Sequence, residues 1–260
     1  MKIGELIKKI ELDFPSHSAM SFDNSGANIV DYEVELSSVV VTLDITLDAI
    51  EYAKDKTANL IISHHPIIFN EIRNINDDPL SKRIKLLNKY DISAYSCHTN
   101  YDVNLINGMG INVLNKLFSR DEIESQDLLE KYTIDCIDYG IGNIVRLKQQ
   151  MTFDDILNRL IERFDLDSKK LSEYKVKDEI KSVLIIPGSG SGEVDLIINE
   201  KPDLLITSDL KHNQILDLVE SGISYINATH YGLEKNFIDS FSSYLKRFTD
   251  KVYSYKNKYV

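Results

Sequence analysis

A β-branched run, S-V-V-V-T-L-D from Ser38 to Asp44, is followed at once by a helical pattern from Thr46 to Lys56. The run is apolar almost throughout, so it predicts a strand buried on both faces. Thr46 is the N-cap of the helix that follows. The alternation then repeats. Asn59 to Ser63 reads as the next strand, and Pro79 to Lys89 as a helix with Asp78 as N-cap and Pro79 at its first position. Ile92 to Cys97 is a third strand and Asn107 to Phe118 a third helix. Strands separated by helices predict parallel βαβ units with right-handed crossovers.

The pattern resumes after a mixed segment near residues 120 to 180. Within that segment Ile141 to Leu147 reads as a strand, and Thr152 to Phe164 as an amphipathic helix capped by Thr152. Ser182 to Ile186 is a strand, and Glu193 to Asn199 is a helix after a glycine-rich turn. Leu204 to Thr207 is a strand, and Leu210 to Glu220 a helix ended by Gly222. Ile223 to Asn227 is a strand, His230 to Arg247 a long final helix, and Val252 to Tyr259 a last edge strand. The chain is therefore expected to be α/β, with two packed, pseudo-similar lobes and mostly parallel sheets. The first lobe is expected to span 1–122, with 230–260 packing back on it. The second is expected to span 123–229, forming one compact unit with no large inserted domain.

Charge and cysteine content exclude several function classes. The formal net charge is −11 over 260 residues, which argues against non-specific nucleic-acid binding. No apolar run reaches the length of a membrane span. Met1 to Glu11 carries charges throughout, as an amphipathic helix does and a secretory leader does not. Cys97 and Cys136 are the only cysteines. They form neither a disulfide framework nor a CxxC pattern, and two buried thiols in a reducing cytoplasm are expected.

In open α/β sheets, ligands bind at the carboxyl ends of the strands. Four of the six histidines fall there: His64 and His65, His98, and His230. In I-I-S-H-H-P-I-I-F (Ile61 to Phe69), Pro66 ends the strand and holds His65 extended. Two neighbouring imidazoles aimed apart suit two metal ions. Asp102 lies four residues past His98, and its two oxygens could bridge a metal pair. His230 and Glu234 are spaced i, i+4 on one helix face. Three imidazoles and two carboxylates form a donor set suited to zinc, iron or manganese. Each piece alone has a plainer explanation. A strand-end His-His can be a solvated turn, His98 a core histidine bonded to backbone, and His-x3-Glu a surface pair. Asp44, Thr99, Asp209 and His212 stand near the same strand ends as candidate substrate contacts or supports. The turn P-G-S-G-S-G (Pro187 to Gly192) reads as a tight turn, with a phosphate cradle as the alternative.

Taken together, these segments resemble the Nif-three-like family, often labelled GTP cyclohydrolase 1 type 2 homologues. The matching segments are F-D-N-S-G (Phe22 to Gly26), L-D-I-T (Leu43 to Thr46), I-S-H-H-P-I-I-F (Ile62 to Phe69) and C-H-T-N-Y-D (Cys97 to Asp102). G-S-G (Gly188 to Gly190), I-T-S-D (Ile206 to Asp209) and T-H-Y-G-L-E (Thr229 to Glu234) follow in the family's order. Phe22 stands where the family usually has Trp, Thr207-Ser208-Asp209 where it has T-G-E, and Thr229 where it has Gly. The resemblance implies a Nif-three-like fold and a dinuclear centre. Its ligands carry over to His64, His65, Asp102, His230 and Glu234, holding two divalent ions per subunit. It also implies a ring-shaped homohexamer. The activity it suggests is metal-dependent hydrolysis of GTP or a related nucleotide, opening the guanine imidazole ring with release of formate. His98 would then be a proton shuttle, since an imidazole titrates near neutral pH. The alternative is a non-catalytic metal-binding scaffold or metal-handling protein.

Overall fold

Burial on both faces decides where the parallel strands lie. The computed structural model describes residues 1–257. Helix α1 (Ile3–Asp13) opens the chain with Ile3, Leu6, Ile7 and Ile10 buried. Strand β1 (Gly26–Ile29) follows, then β2 (Val39–Thr42), which is buried at every position. Helix α2 (Leu47–Asp55) begins where the Ala49 N–H donates to the Thr46 hydroxyl at 3.1 Å. It leads to β3 (Leu60–Ser63), again wholly buried. Helix α3 (Pro79–Lys89) begins where the Ser81 N–H donates to Asp78 at 2.9 Å. It returns the chain to β4 (Ser93–Ser96), and a single turn, α4 (Thr99–Asp102), follows. Strands β2, β3 and β4 pair in parallel. Parallel neighbours need long crossovers, and α2 and α3 supply them.

The chain divides into two compact units, Met1–Asp102 with Lys235–Val260, and Val103–Glu234. The second unit begins with α5 (Met109–Leu117). Strands β5 (Ile123–Ile134) and β6 (Ile137–Thr152) then form a long antiparallel hairpin. Its turn residues Asp135 (φ 50°) and Cys136 (φ 64°) are both left-handed, as a type I′ turn requires. Helix α6 (Phe153–Phe164) is capped by Thr152, which accepts from the Asp155 N–H at 3.1 Å. Then come β7 (Ser172–Tyr174), β8 (Glu179–Ser189), α7 (Val194–Glu200), β9 (Leu204–Ser208), α8 (His212–Glu220), β10 (Ser224–Ala228) and α9 (His230–Glu234). The sheet order is β5-β6-β8-β9-β10-β7, with β8, β9 and β10 parallel. The last elements, α10 (Asn236–Leu245) and β11 (Val252–Ser254), belong to the first unit. There β11 pairs in parallel with β2, and the sheet order is β1-β4-β3-β2-β11.

Strand periodicity separates two apolar layers in the second unit. Val183 and Ile185 of β8 pack with Leu114, Leu117, Ile156 and Leu160. Their neighbours Leu184 and Ile186 pack with Ile197 and Leu218 instead. Successive strand side chains point to opposite faces, so one strand serves both layers. In the first unit Val40, Ile61 and Ala94 pack with Ile50 and Leu87.

The α/β class and the mostly parallel sheets stand, but several expectations from spacing need correction. The hairpin partner β5 gave no clear strand signal because most of its residues are exposed, and its sequence I-E-S-Q-D-L-L-E-K-Y-T-I does not alternate. The unit boundaries fall after Asp102 and Glu234, against the expected 122 and 229, because Val113, Leu114 and Leu117 of α5 pack into the second unit's core. The long final helix is broken at Lys235, where the chain leaves one unit for the other. Helix α8 begins at His212 rather than Leu210, because Lys211 is extended and stands as the N-cap, its N–H donating to Gln214 at 2.8 Å. Cys97 is buried as expected, but Cys136 is exposed in the hairpin turn. The last strand covers Val252–Ser254, and positions 258 and 259 of the expected strand lie outside the described residues. Among the described residues no helix is long and apolar enough to cross a membrane.

Asp203 secures the start of the β8–β9 pair. Its Oδ2 accepts from the Lys181 and Ser182 N–H groups at 3.0 and 2.9 Å, and Lys177 Nζ reaches Oδ1 at 2.7 Å. Burial works to raise its carboxyl, but these donors outweigh burial and hold it below its ordinary value. A depressed folded-state pKa stabilises above the unfolded value of about 3.9, and the benefit disappears as pH falls through the folded value. Asp203→Asn is therefore expected to cost about 1–3 kcal/mol at neutral pH in urea denaturation. The gap from wild type should close as pH falls below about 4. A gap independent of pH would show that the carboxylate charge contributes nothing.

Candidate metal centre

Pairing between β2 and β3 continues past the strand ends and fixes the double histidine. The His64 N–H donates to the Thr42 carbonyl at 3.3 Å, and the His65 N–H to the Leu43 carbonyl at 3.1 Å. The Ser63 hydroxyl donates to the His65 carbonyl at 2.7 Å. The backbone is thus held, and the two imidazoles, expected from the sequence to aim apart, instead lie 5.0 Å apart between centroids.

Hydrogen bonding then fixes each ring. His64 is fully buried, and its Nδ1 lies 2.8 Å from the Cys97 carbonyl oxygen. A carbonyl only accepts, so Nδ1 carries the proton and Nε2 the lone pair of the neutral ring. His65 Nδ1 lies 2.8 Å from Asp44 Oδ1, and His98 Nδ1 lies 2.7 Å from Asp23 Oδ1. Both bonds impose the same tautomer. Burial pushes the Asp23 carboxyl up, but hydrogen bonds from His98, Ser25 and Thr99 outweigh it and hold it well below the usual carboxylate range. Asp23 therefore stays an acceptor. The His64 ring is backed by Phe237 at 5.1 Å and Tyr101 at 6.1 Å between centroids. One ring nitrogen from each of His64, His65 and His98 lies within 4.8 Å of the others, a cluster that could hold a metal ion. Asp102 Oδ1 lies 3.6 Å from His64 Nε2.

The second unit holds its own pair. His230 opens α9 and Glu234 ends it. His230 Nδ1 lies 2.6 Å from Asp209 Oδ2, and His230 Nε2 lies 2.8 Å from Glu234 Oε2. Asp209 tolerates its left-handed backbone because Asp is among the few non-glycine residues that do. Glu234 is nearly buried. Gly188, at φ +74°, is what admits it. A Cβ there would stand 2.4 Å from Glu234 Oε1. The Gly188 carbonyl accepts from the Ser208 hydroxyl at 3.0 Å, and the Gly190 N–H donates to Thr207 Oγ1 at 3.1 Å. The glycine-rich segment is thus a strand end shaped around a carboxylate, since β8 runs on to Ser189.

These donors fit a divalent metal. Metal-ligating histidines characteristically donate their other ring N–H to a carboxylate or backbone carbonyl, and all four imidazoles do so. An imidazole–carboxylate set accepts zinc, iron or manganese. Of the residues singled out from sequence, Asp44 and Asp209 brace the rings of His65 and His230. Thr99 is buried, donating its hydroxyl to Asp23 at 2.6 Å and accepting from the Met20 N–H at 2.9 Å. It braces the Asp23 carboxylate rather than facing a ligand. His212 is exposed at the start of α8, apart from all these bonds. Asp23 and Gly188 do not stand out in the sequence as site residues. Asp23 follows no strand, and its only signal was the F-D-N-S-G match. Gly188 looked like turn chemistry.

A family model described as Duf34/NIF3 (NGG1p interacting factor 3) matches residues 1–258. A Clostridium acetobutylicum protein named GTP cyclohydrolase 1 type 2 homolog is 32% identical over 238 residues, covering 90% of this chain and 85% of the relative. A Helicobacter pylori protein named GTP cyclohydrolase 1 type 2 is 30% identical over 236 residues, covering 90% and 88%. The crystal structure of a Bacillus cereus protein related to NIF3 superposes with a TM-score of 0.86 at 18% identity, covering 100% and 97%.

Removing a ring's support tests whether that ring holds metal. Asp44→Asn and Asp209→Asn are each expected to weaken zinc binding about 10- to 100-fold, measured by competition against a chromogenic chelator. Gly188→Ala should weaken it as well, because its Cβ displaces the Glu234 carboxylate. Unchanged affinity in all three would separate these bonds from metal binding.

Proposed function

The chain belongs to the Duf34/NIF3 family, and from that membership we propose that it is a metal-dependent hydrolase acting on a purine nucleotide such as GTP. The observation that carries this is the cluster of His64, His65 and His98, each with Nδ1 committed to a protein acceptor, so that the Nε2 lone pair would bind metal on His64 and His65 and take up a proton on His98. The relatives' names supply the nucleotide. The ligands we assign are His64, His65 and Asp102, with His230 and Glu234 carried over from the sequence resemblance. They would hold two divalent ions, and the subunits would form a homohexameric ring in the cytoplasm.

Bound divalent ions would acidify a water and polarise the bond under attack. The chain's own residues do the rest. Asp44 and the Cys97 carbonyl hold the imidazoles of His65 and His64 in one tautomer and orientation, and Asp209 orients the His230 ring, so little reorganisation is needed when a ligand arrives. His98 moves a proton at Nε2, because the ionised Asp23 at Nδ1 stabilises the ring when it becomes cationic. Its product on GTP would be the ring-opened base, with formate released.

A second role has one observation behind it. The family model is described by an interaction, not a reaction. A metal-holding scaffold would keep its ions and turn over nothing.

Elemental analysis should find divalent metal in the wild type and a loss of it in His64→Ala combined with Glu234→Ala. Equal metal content in both would remove the ligand assignment. Metal-loaded wild type should release formate from GTP, and His98→Gln should slow release about 100-fold or more without loss of metal. Retained metal with no formate would favour the scaffold.

A further inference from the structure

Of the nine phenylalanines, six are buried to 2% exposure or less, and Phe248 is half-buried. Of the remaining two, Phe69 at 44% exposure lies beside the His98 ring, and Phe22 at 63% exposure is next in sequence to Asp23, which bonds that ring. A large ring left in water forfeits the gain that drives the other six inside. Local structure does not call for either one. Phe22 occupies a tight turn closed by the Asp23 N–H donating to the Met20 carbonyl at 2.9 Å. Such positions favour Gly, Asn, Asp or Ser. Phe69 follows Ile68 in a segment without regular structure.

Their backbones are nevertheless held firmly. Asn24 Nδ2 donates to the Ile68 carbonyl at 2.5 Å, and the Ile68 N–H donates to Asn28 Oδ1 at 3.3 Å. The Met20 N–H donates to Thr99 Oγ1 at 2.9 Å, and Asp23 accepts from both Thr99 and His98. Phe22 thus sits one residue from Asp23, which bonds His98 and Thr99, and Phe69 one residue from Ile68, which bonds Asn24 and Asn28. The Phe69 ring meets the His98 ring edge-on, at 6.1 Å between centroids and 74°. An exposed aromatic face on a fixed backbone is a surface on which a planar ring can stack.

We infer that Phe22 and Phe69 form a stacking platform that receives the planar heteroaromatic ring of the substrate, a purine-type base, and presents it to the His98 edge of the cluster. The inference rests on the nucleotide-hydrolase proposal for its choice of ligand. Aromatic side chains hold bases by their π-faces, and the neighbouring imidazoles and carboxylates supply the polar contacts that an apolar partner would leave unmet.

The test is calorimetric titration of the metal-loaded protein with GTP, guanosine and inorganic triphosphate, in wild type, Phe22→Leu, Phe69→Leu and Phe69→Tyr. Leucine keeps apolar bulk and removes the ring, and unchanged melting curves would confirm that the variants fold. GTP and guanosine should bind about 5- to 150-fold more weakly to Phe69→Leu, less weakly to Phe22→Leu, and almost normally to Phe69→Tyr. Triphosphate should bind all four alike. Equal guanosine affinity in wild type and both leucine variants would overturn the platform, as would a wild type that binds no nucleoside. Ring-dependent guanosine binding with no formate release from GTP would support the platform and remove the hydrolase. Formate release with unchanged KM in both leucine variants would do the reverse.

Discussion

Parallel pairing of strands buried on both faces brings their carboxyl ends to one edge of a sheet. In the first unit β2, β3 and β4 obey this constraint without exception, and Asp44, His64 with His65, and His98 follow them directly. In the second unit β8, β9 and β10 place Gly188, Asp209 and His230 by the same rule. Small hydroxyls such as Thr42 and Ser63 enter these strands by bonding nearby backbone, but imidazoles and carboxylates are costly to bury there, so they collect where the strands stop. The chemistry of the chain is confined to those edges by the same burial that makes its core.

Each of the four candidate imidazoles, three in the first unit and one in the second, is oriented from behind. Three are held by carboxylates and one by a main-chain carbonyl. The difference matters for the most buried ring. His64 has no exposed surface, and a charged partner there would have to be desolvated at a cost of several kcal/mol. A peptide carbonyl fixes the same tautomer with no charge to bury. Asp44 and Asp209, the partners of His65 and His230, have solvent-accessible carboxylates that cost little to keep charged, whereas burial of the Asp23 carboxylate behind His98 is offset by hydrogen bonds from Ser25 and Thr99.

The helices with hydroxyl or carboxylate caps, the doubly buried strands and the candidate ligands were legible in the sequence because each depends on local chemistry or on a rule about strand ends. Thr46, Asp78 and Thr152 all cap as their positions predict. The hairpin of β5 and β6 was only half legible. Its stability comes from a partner strand and from two left-handed turn residues, Asp135 and Cys136, and neither shows in hydrophobic periodicity. Asp23 lay outside the strand-end rule because it reaches His98 from a turn 75 positions earlier. Gly188 was visible as a glycine, but its use was not. The need for a missing side chain becomes clear only once Glu234 is known to lie against it.

The first unit is discontinuous, and this orders its assembly in time. Its sheet gains β11 beside β2 from residues near the end of the chain, and Phe237, which backs the His64 ring, comes from the same returning segment. The second unit is contiguous from Val103 to Glu234. During synthesis from the N-terminus, the second unit is complete while the first still lacks an edge strand and the wall behind its most buried imidazole. The double histidine is translated early, but its pocket is among the last parts of the molecule to close.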